Sequence, residues 1–104
     1  TKAGHKELRR WLSAPVATEA VAHNYDPIRT RVFFLGMISP KGQMEFLDDS
    51  IARTVETIER HREELELVRG EESQWELVGR DGAIRELSTR LEWLRELRGG
   101  FEPG

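Results

Sequence analysis

Pro40-Lys41-Gly42-Gln43-Met44-Glu45-Phe46-Leu47-Asp48-Asp49-Ser50-Ile51-Ala52-Arg53-Thr54-Val55-Glu56-Thr57-Ile58-Glu59-Arg60-His61-Arg62-Glu63-Glu64-Leu65-Glu66-Leu67-Val68-Arg69 is the stretch on which the fold turns. Met44, Leu47, Ile51, Thr54, Ile58, His61, Leu65 and Val68 recur at steps of three and four, the spacing of a coiled-coil seam. The positions between them carry Asp48, Asp49, Arg53, Glu56, Glu59, Arg60, Arg62, Glu63, Glu64 and Glu66. Ser39-Pro40 supplies a cap followed by a proline at the first helical position. Gly70 supplies the stop. A helix of this length spans about 45 Å.

Working toward the C-terminus, Ser73 and Glu76 have the spacing of a capping box. A second long helix is expected over 73–98, its seam made of Leu77, Ile84, Leu87, Leu91, Leu94 and then Phe101, with Arg80 and Arg98 interrupting it. Gly79 and Gly82 flank Asp81, and each interior glycine costs about 1 kcal/mol against alanine. A kink or break there is therefore open, with Asp81 as cap of a second piece. The tail from Gly99 to Gly104 is expected to fray. The short connection near Gly70 makes the helices of 39–69 and 73–98 antiparallel neighbours.

Working toward the N-terminus, Val32-Phe33-Phe34-Leu35-Gly36-Met37-Ile38 is an unbroken apolar run. Periodicity does not separate a buried strand from a buried helix in so short a run. A strand needs partners, and no second strand pattern exists, so the run reads as a helix over 26–38 that starts at Asp26-Pro27. A helix apolar on all sides must be covered on several sides, which calls for a second subunit. Residues 14–25 read as a linker with no sustained period, in which Val16, Ala17 and Val21 can pack one short turn. Residues 1–13 read as a helix with Leu8, Trp11 and Leu12 on one face and Lys2, Lys6, Arg9 and Arg10 on the other, capped by Thr1 and ended by Pro15. The fold expected is all-α: four helices, including a long antiparallel, coiled-coil-like helical hairpin, assembled as a dimer.

The chain has 104 residues, 34% of them charged and 38% hydrophobic, which bounds it to one surface-rich helical domain. Its 13 Arg and 3 Lys are interleaved with 19 acids for a net charge of −3, a poor balance for a free-standing nucleic-acid binder. It contains no cysteine, hence no disulfide, thiol nucleophile or thiolate metal site. No run approaches the ~20 apolar residues of a membrane span, and no secretory leader pattern opens the chain. A cytoplasmic location is expected. The first residue is Thr1 and not Met, and a fragment of a longer protein is the favoured reading.

Thr1-Lys2-Ala3-Gly4-His5-Lys6-Glu7-Leu8-Arg9-Arg10-Trp11-Leu12-Ser13-Ala14-Pro15 resembles the stretch that leaves the wing in PadR-family regulators, which are named for a phenolic-acid-decarboxylase regulator. Asp26-Pro27, Phe33-Phe34-Leu35-Gly36, the long charged helix and Leu91-Glu92-Trp93-Leu94 are similar to the C-terminal domain of the same family, in the longer form called the virulence activator alpha C-terminal domain. The resemblance implies a homodimer built through these helices, with DNA held by a winged helix-turn-helix N-terminal to Thr1. It carries no DNA-reading residue into residues 1–104. Gly79 and Gly82 depart from the smoother helix of other members.

The residues expected at the dimer interface or core are Trp11, Leu12, Phe33, Phe34, Met37, Leu47, Ile51, Val55, Ile58, Leu65, Leu87, Leu91 and Leu94. Trp75, Trp93 and Trp11 are candidates for a pocket that takes a small aromatic effector, although indole packing in a core or interface is the plainer reading. His61 on the seam reads as a register-fixing polar residue ahead of a pH switch. Asp48-Asp49, Glu63-Glu64 and Glu71-Glu72 are adjacent in sequence, do not share a helical face, and read as solvated charge. No phosphate loop, nucleophile elbow or zinc motif occurs. No catalytic residue, metal ligand or cofactor is expected, and the chain does not read as an enzyme. The alternative to a regulator's dimerisation domain is a stand-alone coiled-coil adaptor that binds another protein's helix.

Overall fold

The computed structural model describes residues 1–22, 26–70 and 73–101, with Ala22 described by its backbone alone. His23, Asn24 and Tyr25 of the expected linker, the Glu71-Glu72 pair and the tail residues Glu102, Pro103 and Gly104 lie outside the described residues. The elements are α1 (Lys2–Ser13), α2 (Thr18–Ala22), α3 (Pro27–Phe33), a 3-10 turn (Leu35–Met37), α4 (Pro40–Val68) and α5 (Gln74–Gly99). No strand occurs among the described residues. Among those residues no helix is long and apolar enough to cross a membrane. The chain divides into two compact units, Thr1–Arg31 and Val32–Gly104.

In the first unit, Thr1 caps α1 by accepting the Gly4 N–H on Oγ1 at 2.9 Å. Ala14 is extended, with φ −70° and ψ 148°, as the residue before Pro15 should be. The expected linker is not featureless. It folds into α2, and Ala20 N–H donates to the Ala17 carbonyl at 3.0 Å. Five residues are too few for a hydrophobic period to declare itself in sequence. Asp26 Oδ1 accepts from Ile28 N–H at 3.0 Å and Arg29 N–H at 3.2 Å and so starts α3.

The single apolar helix expected over 26–38 is not formed. Helical geometry ends at Phe33, Phe34 turns at φ −109° and ψ 9°, and a 3-10 turn follows. The Ser39-Pro40 step forces extended backbone ahead of α4, with Ser39 at ψ 156°. Gln43 takes over carbonyls that the break releases. Its Nε2 donates to Leu35 O at 3.2 Å and to Ile38 O at 3.1 Å. Where four helices were expected, the described residues therefore hold five helices and a 3-10 turn.

In the second unit, α4 and α5 pack against each other, the only extensive contact between elements among the described residues. Ser39 Oγ accepts the Gly42 N–H at 3.1 Å and Ser73 Oγ accepts the Glu76 N–H at 3.2 Å, capping the two long helices. The core consists of Phe46, Leu47, Ile58, Ile84 and Leu94, with Ser50 and Thr54 buried among them. Burying one such apolar side chain contributes roughly 1.5–3 kcal/mol. Thr54 removes its own desolvation cost by donating Oγ1 to the Ser50 carbonyl one turn back, at 2.7 Å. The two arginines that interrupt the α5 seam are bound to α4: Arg98 Nε lies 2.7 Å from Asp48 Oδ1, and Arg80 Nη1 lies 3.7 Å from Glu64 Oε2.

α5 runs through Gly79 and Gly82 without interruption. Asp81 caps nothing; its Oδ2 accepts from Arg85 Nε at 2.6 Å, one turn ahead. That pair fills the position at which a break was open.

Candidate functional site

The side chains expected at an interface or core separate into three groups. Leu47, Ile58 and Leu94 are buried between α4 and α5. Ile51, Val55, Leu65, Leu87 and Leu91 are half-buried along the same two helices. Trp11, Leu12, Phe33, Phe34 and Met37 are exposed, Phe33 and Met37 at 81% and 82%. Phe46 belongs to the core but falls outside the 3,4 seam, because it precedes Leu47 on a neighbouring face. Its aromatic size was the signal available in the sequence.

Within the first unit, Trp11 and Leu12 form one wall of an open cleft of about 350 Å³. Ala14, Pro15, Val16, Ala17 and Ala20 complete it. Its lining side chains are apolar apart from the indole N–H. Such a cleft suits a flat hydrophobic molecule and offers little to orient one. Of these residues Trp11 is an expected pocket residue, Val16 and Ala17 belong to the expected short turn, and Ala20 carries no signal in the sequence that marks it for a cleft.

Trp75 and Trp93 stand eighteen residues apart on α5, about 27 Å along the axis at the helical rise. Trp75 is 78% exposed at the start of α5, and Trp93 is half-buried near its end. One small ligand does not touch both within one chain. Leu67 and Val78, outside the expected seam, are also exposed near the α4–α5 connection.

A shallow groove of about 160 Å³ lies between α4 and α5. Val55, Ile58 and Leu91 floor it, and Glu59, Arg62, Ser88 and Arg95 rim it. The floor includes three of the side chains expected at the interface.

His61 sits half-buried on the α4 seam with Nδ1 3.9 Å from Glu64 Oε2, the oxygen that also faces Arg80. Asp48 holds Arg98, and Asp49 lies 3.6 Å from Arg53. These carboxylates bind cations of their own chain. Among the described residues no group of three or more His, Asp or Glu side chains is placed to hold a metal ion. What the arrangement provides is apolar surface on rigid helices edged by charge, which is the chemistry of association.

No protein-family model, curated protein or solved structure matches this chain.

Proposed function

We propose that the chain is the homodimerisation and effector-response domain of a PadR-like bacterial transcription regulator, acting in the cytoplasm. In this reading α4 and α5 form an antiparallel hairpin, and two copies pair through their uncovered apolar side chains. DNA is engaged only by a winged helix-turn-helix N-terminal to Thr1. The reading assigns no catalytic residue and no cofactor. The antiparallel arrangement is supported by two ion pairs, Asp48 with Arg98 and Glu64 with Arg80. They join the start of α4 to the end of α5 and the end of α4 to the start of α5.

The observation that carries dimerisation is the exposure of Phe33, Phe34 and Met37 in consecutive turns of the second unit. Single exposed apolar residues are ordinary, whereas a contiguous run of large ones marks an association surface. Light scattering at micromolar concentration tests it. A species of twice the 12.0 kDa chain mass is expected, and a well-folded monomer overturns the proposal.

The cleft beside Trp11 is the proposed effector site, for a small aromatic molecule. Saturable quenching of tryptophan fluorescence by such ligands is expected, and its loss in Trp11→Phe would assign it to this cleft. The adaptor reading has Leu67, Trp75 and Val78 in its favour, exposed where α4 gives way to α5. A winged helix encoded upstream of Thr1 favours the regulator over the adaptor.

A further inference from the structure

Charge is divided unequally between the two units. Residues 1–31 hold six Lys or Arg against three carboxylates, net +3, and residues 32–104 hold ten against sixteen, net −6. The positive excess lies on one side of α1, where Lys2, Lys6 and Arg9 follow one another at steps of four and three. All three are exposed, and none has an ion-pair partner among the described residues. Arg10, by contrast, is held by Glu7 at 2.9 Å.

On α4 a complementary row exists. Glu63, Glu59 and Glu56, read from C-terminus to N-terminus, also stand at steps of four and three, and all are exposed. Glu59 and Glu63 pair with no cation among the described residues, and Glu56 meets Arg53 only at 3.6 Å. Both triads span about 10.5 Å at the helical rise. Laid antiparallel, each cation of α1 therefore meets one carboxylate: Lys2 with Glu63, Lys6 with Glu59, Arg9 with Glu56. The parallel alternative needs Glu66, which Arg69 already occupies at 2.9 Å.

We infer that α1 of one copy docks antiparallel along the Glu56–Glu63 face of α4 in a second copy, in a reciprocal contact made twice per dimer. The inference rests on the dimer reading above and adds to it where the charged contact lies. Exposed ion pairs are individually weak and are screened by salt, so the triad sets partner and register while apolar contacts supply most of the affinity.

The test uses two charge-reversed chains, K2E/K6E/R9E and E56K/E59K/E63K, each checked for wild-type helicity by circular dichroism. Each alone sets like charges against like, and its dimer dissociation constant should rise about tenfold or more. Mixed, the two have complementary charges at both contacts, and heterodimers should return to near wild-type affinity. The wild-type dimer should itself weaken as NaCl rises. Variants that each dimerise alone as tightly as the wild type overturn the inference and leave the dimer reading standing. Variants that lose dimerisation and do not recover it when mixed also overturn it, as does an α1 that is covered by its own chain or by a lipid or nucleic-acid surface. A monomeric wild type removes the dimer reading itself.

Discussion

Arg98 Nε lies 2.7 Å from Asp48 Oδ1, across fifty residues of chain. The arginine side chain is three-quarters buried and the carboxylate mostly exposed. This pair ties the last full turn of α5 to the first turns of α4, next to the buried Leu47 and Leu94. An arginine that looks like a fault in the apolar seam of α5 is thus a cross-link whose aliphatic stem stays within the packing and whose head reaches the rim.

Replacing Arg98 with Ala should lower stability by roughly 1–2 kcal/mol, partly from the charged hydrogen bond and partly from lost stem packing. Arg98→Met should restore the packing share. In a double-mutant cycle with Asp48→Ala, the coupling should be about 0.5–1 kcal/mol and shrink at high salt. Urea unfolding of the four chains measures it. Additive effects of the two substitutions would mean that the contact contributes nothing.

Among the described residues, Leu47 and Leu94 are the two large side chains with no solvent exposure. Truncating either to Ala should cost about 2–5 kcal/mol, the usual range for a buried leucine. Half-buried Val55→Ala should cost clearly less in the same urea titrations. Equal losses at all three sites would mean that the packing is centred elsewhere than on Leu47 and Leu94.

The α4 seam was open to sequence reading because its helix is long. Met44, Leu47, Ile51, Thr54, Ile58, His61, Leu65 and Val68 are all buried or half-buried, and eight positions suffice to fix a period. The run from Val32 to Ile38 lacks that redundancy. Its break is accompanied by a contact from outside the run, in which the Gln43 side chain donates to the Leu35 and Ile38 carbonyls. No local propensity encodes such a contact. α2 was hidden for a related reason, since five residues complete little more than one turn. The sequence marks Trp11, Phe33 and Met37 as apolar residues needing cover but does not separate core from surface among them, because an apolar residue reads the same in either place; the structure leaves all three exposed.

The glycines make a sharper prediction. Gly79 and Gly82 lie inside continuous α5, and a Cβ added at either meets nothing within 4 Å. Ala at each site should therefore stabilise the protein by about 0.5–1 kcal/mol, through helix propensity and a less flexible unfolded chain. Gly70 has the same open surroundings but a φ of +93°. There, Ala should destabilise by about 1 kcal/mol, since the left-handed side of the map penalises a Cβ. Thermal unfolding by circular dichroism should move up for the first two variants and down for the third. A fall in all three would indicate that α5 bends at its glycines.

Under the dimer proposal, Phe33 and Met37 should separate association from folding. Both are more than 80% exposed, so neither contributes much to packing within the chain. Phe33→Ser combined with Met37→Ser should leave helicity intact and raise the dimer dissociation constant by a factor of at least ten, given about 1.5–3 kcal/mol for each large side chain buried at an interface. Leu47→Ala makes the contrasting case, in which loss of dimer accompanies loss of fold. Sedimentation equilibrium read beside circular dichroism distinguishes the two behaviours. If the Phe33/Met37 double variant assembles as tightly as the parent chain, these side chains lie outside the contact, and the self-association surface must be sought along the Val55–Leu91 groove.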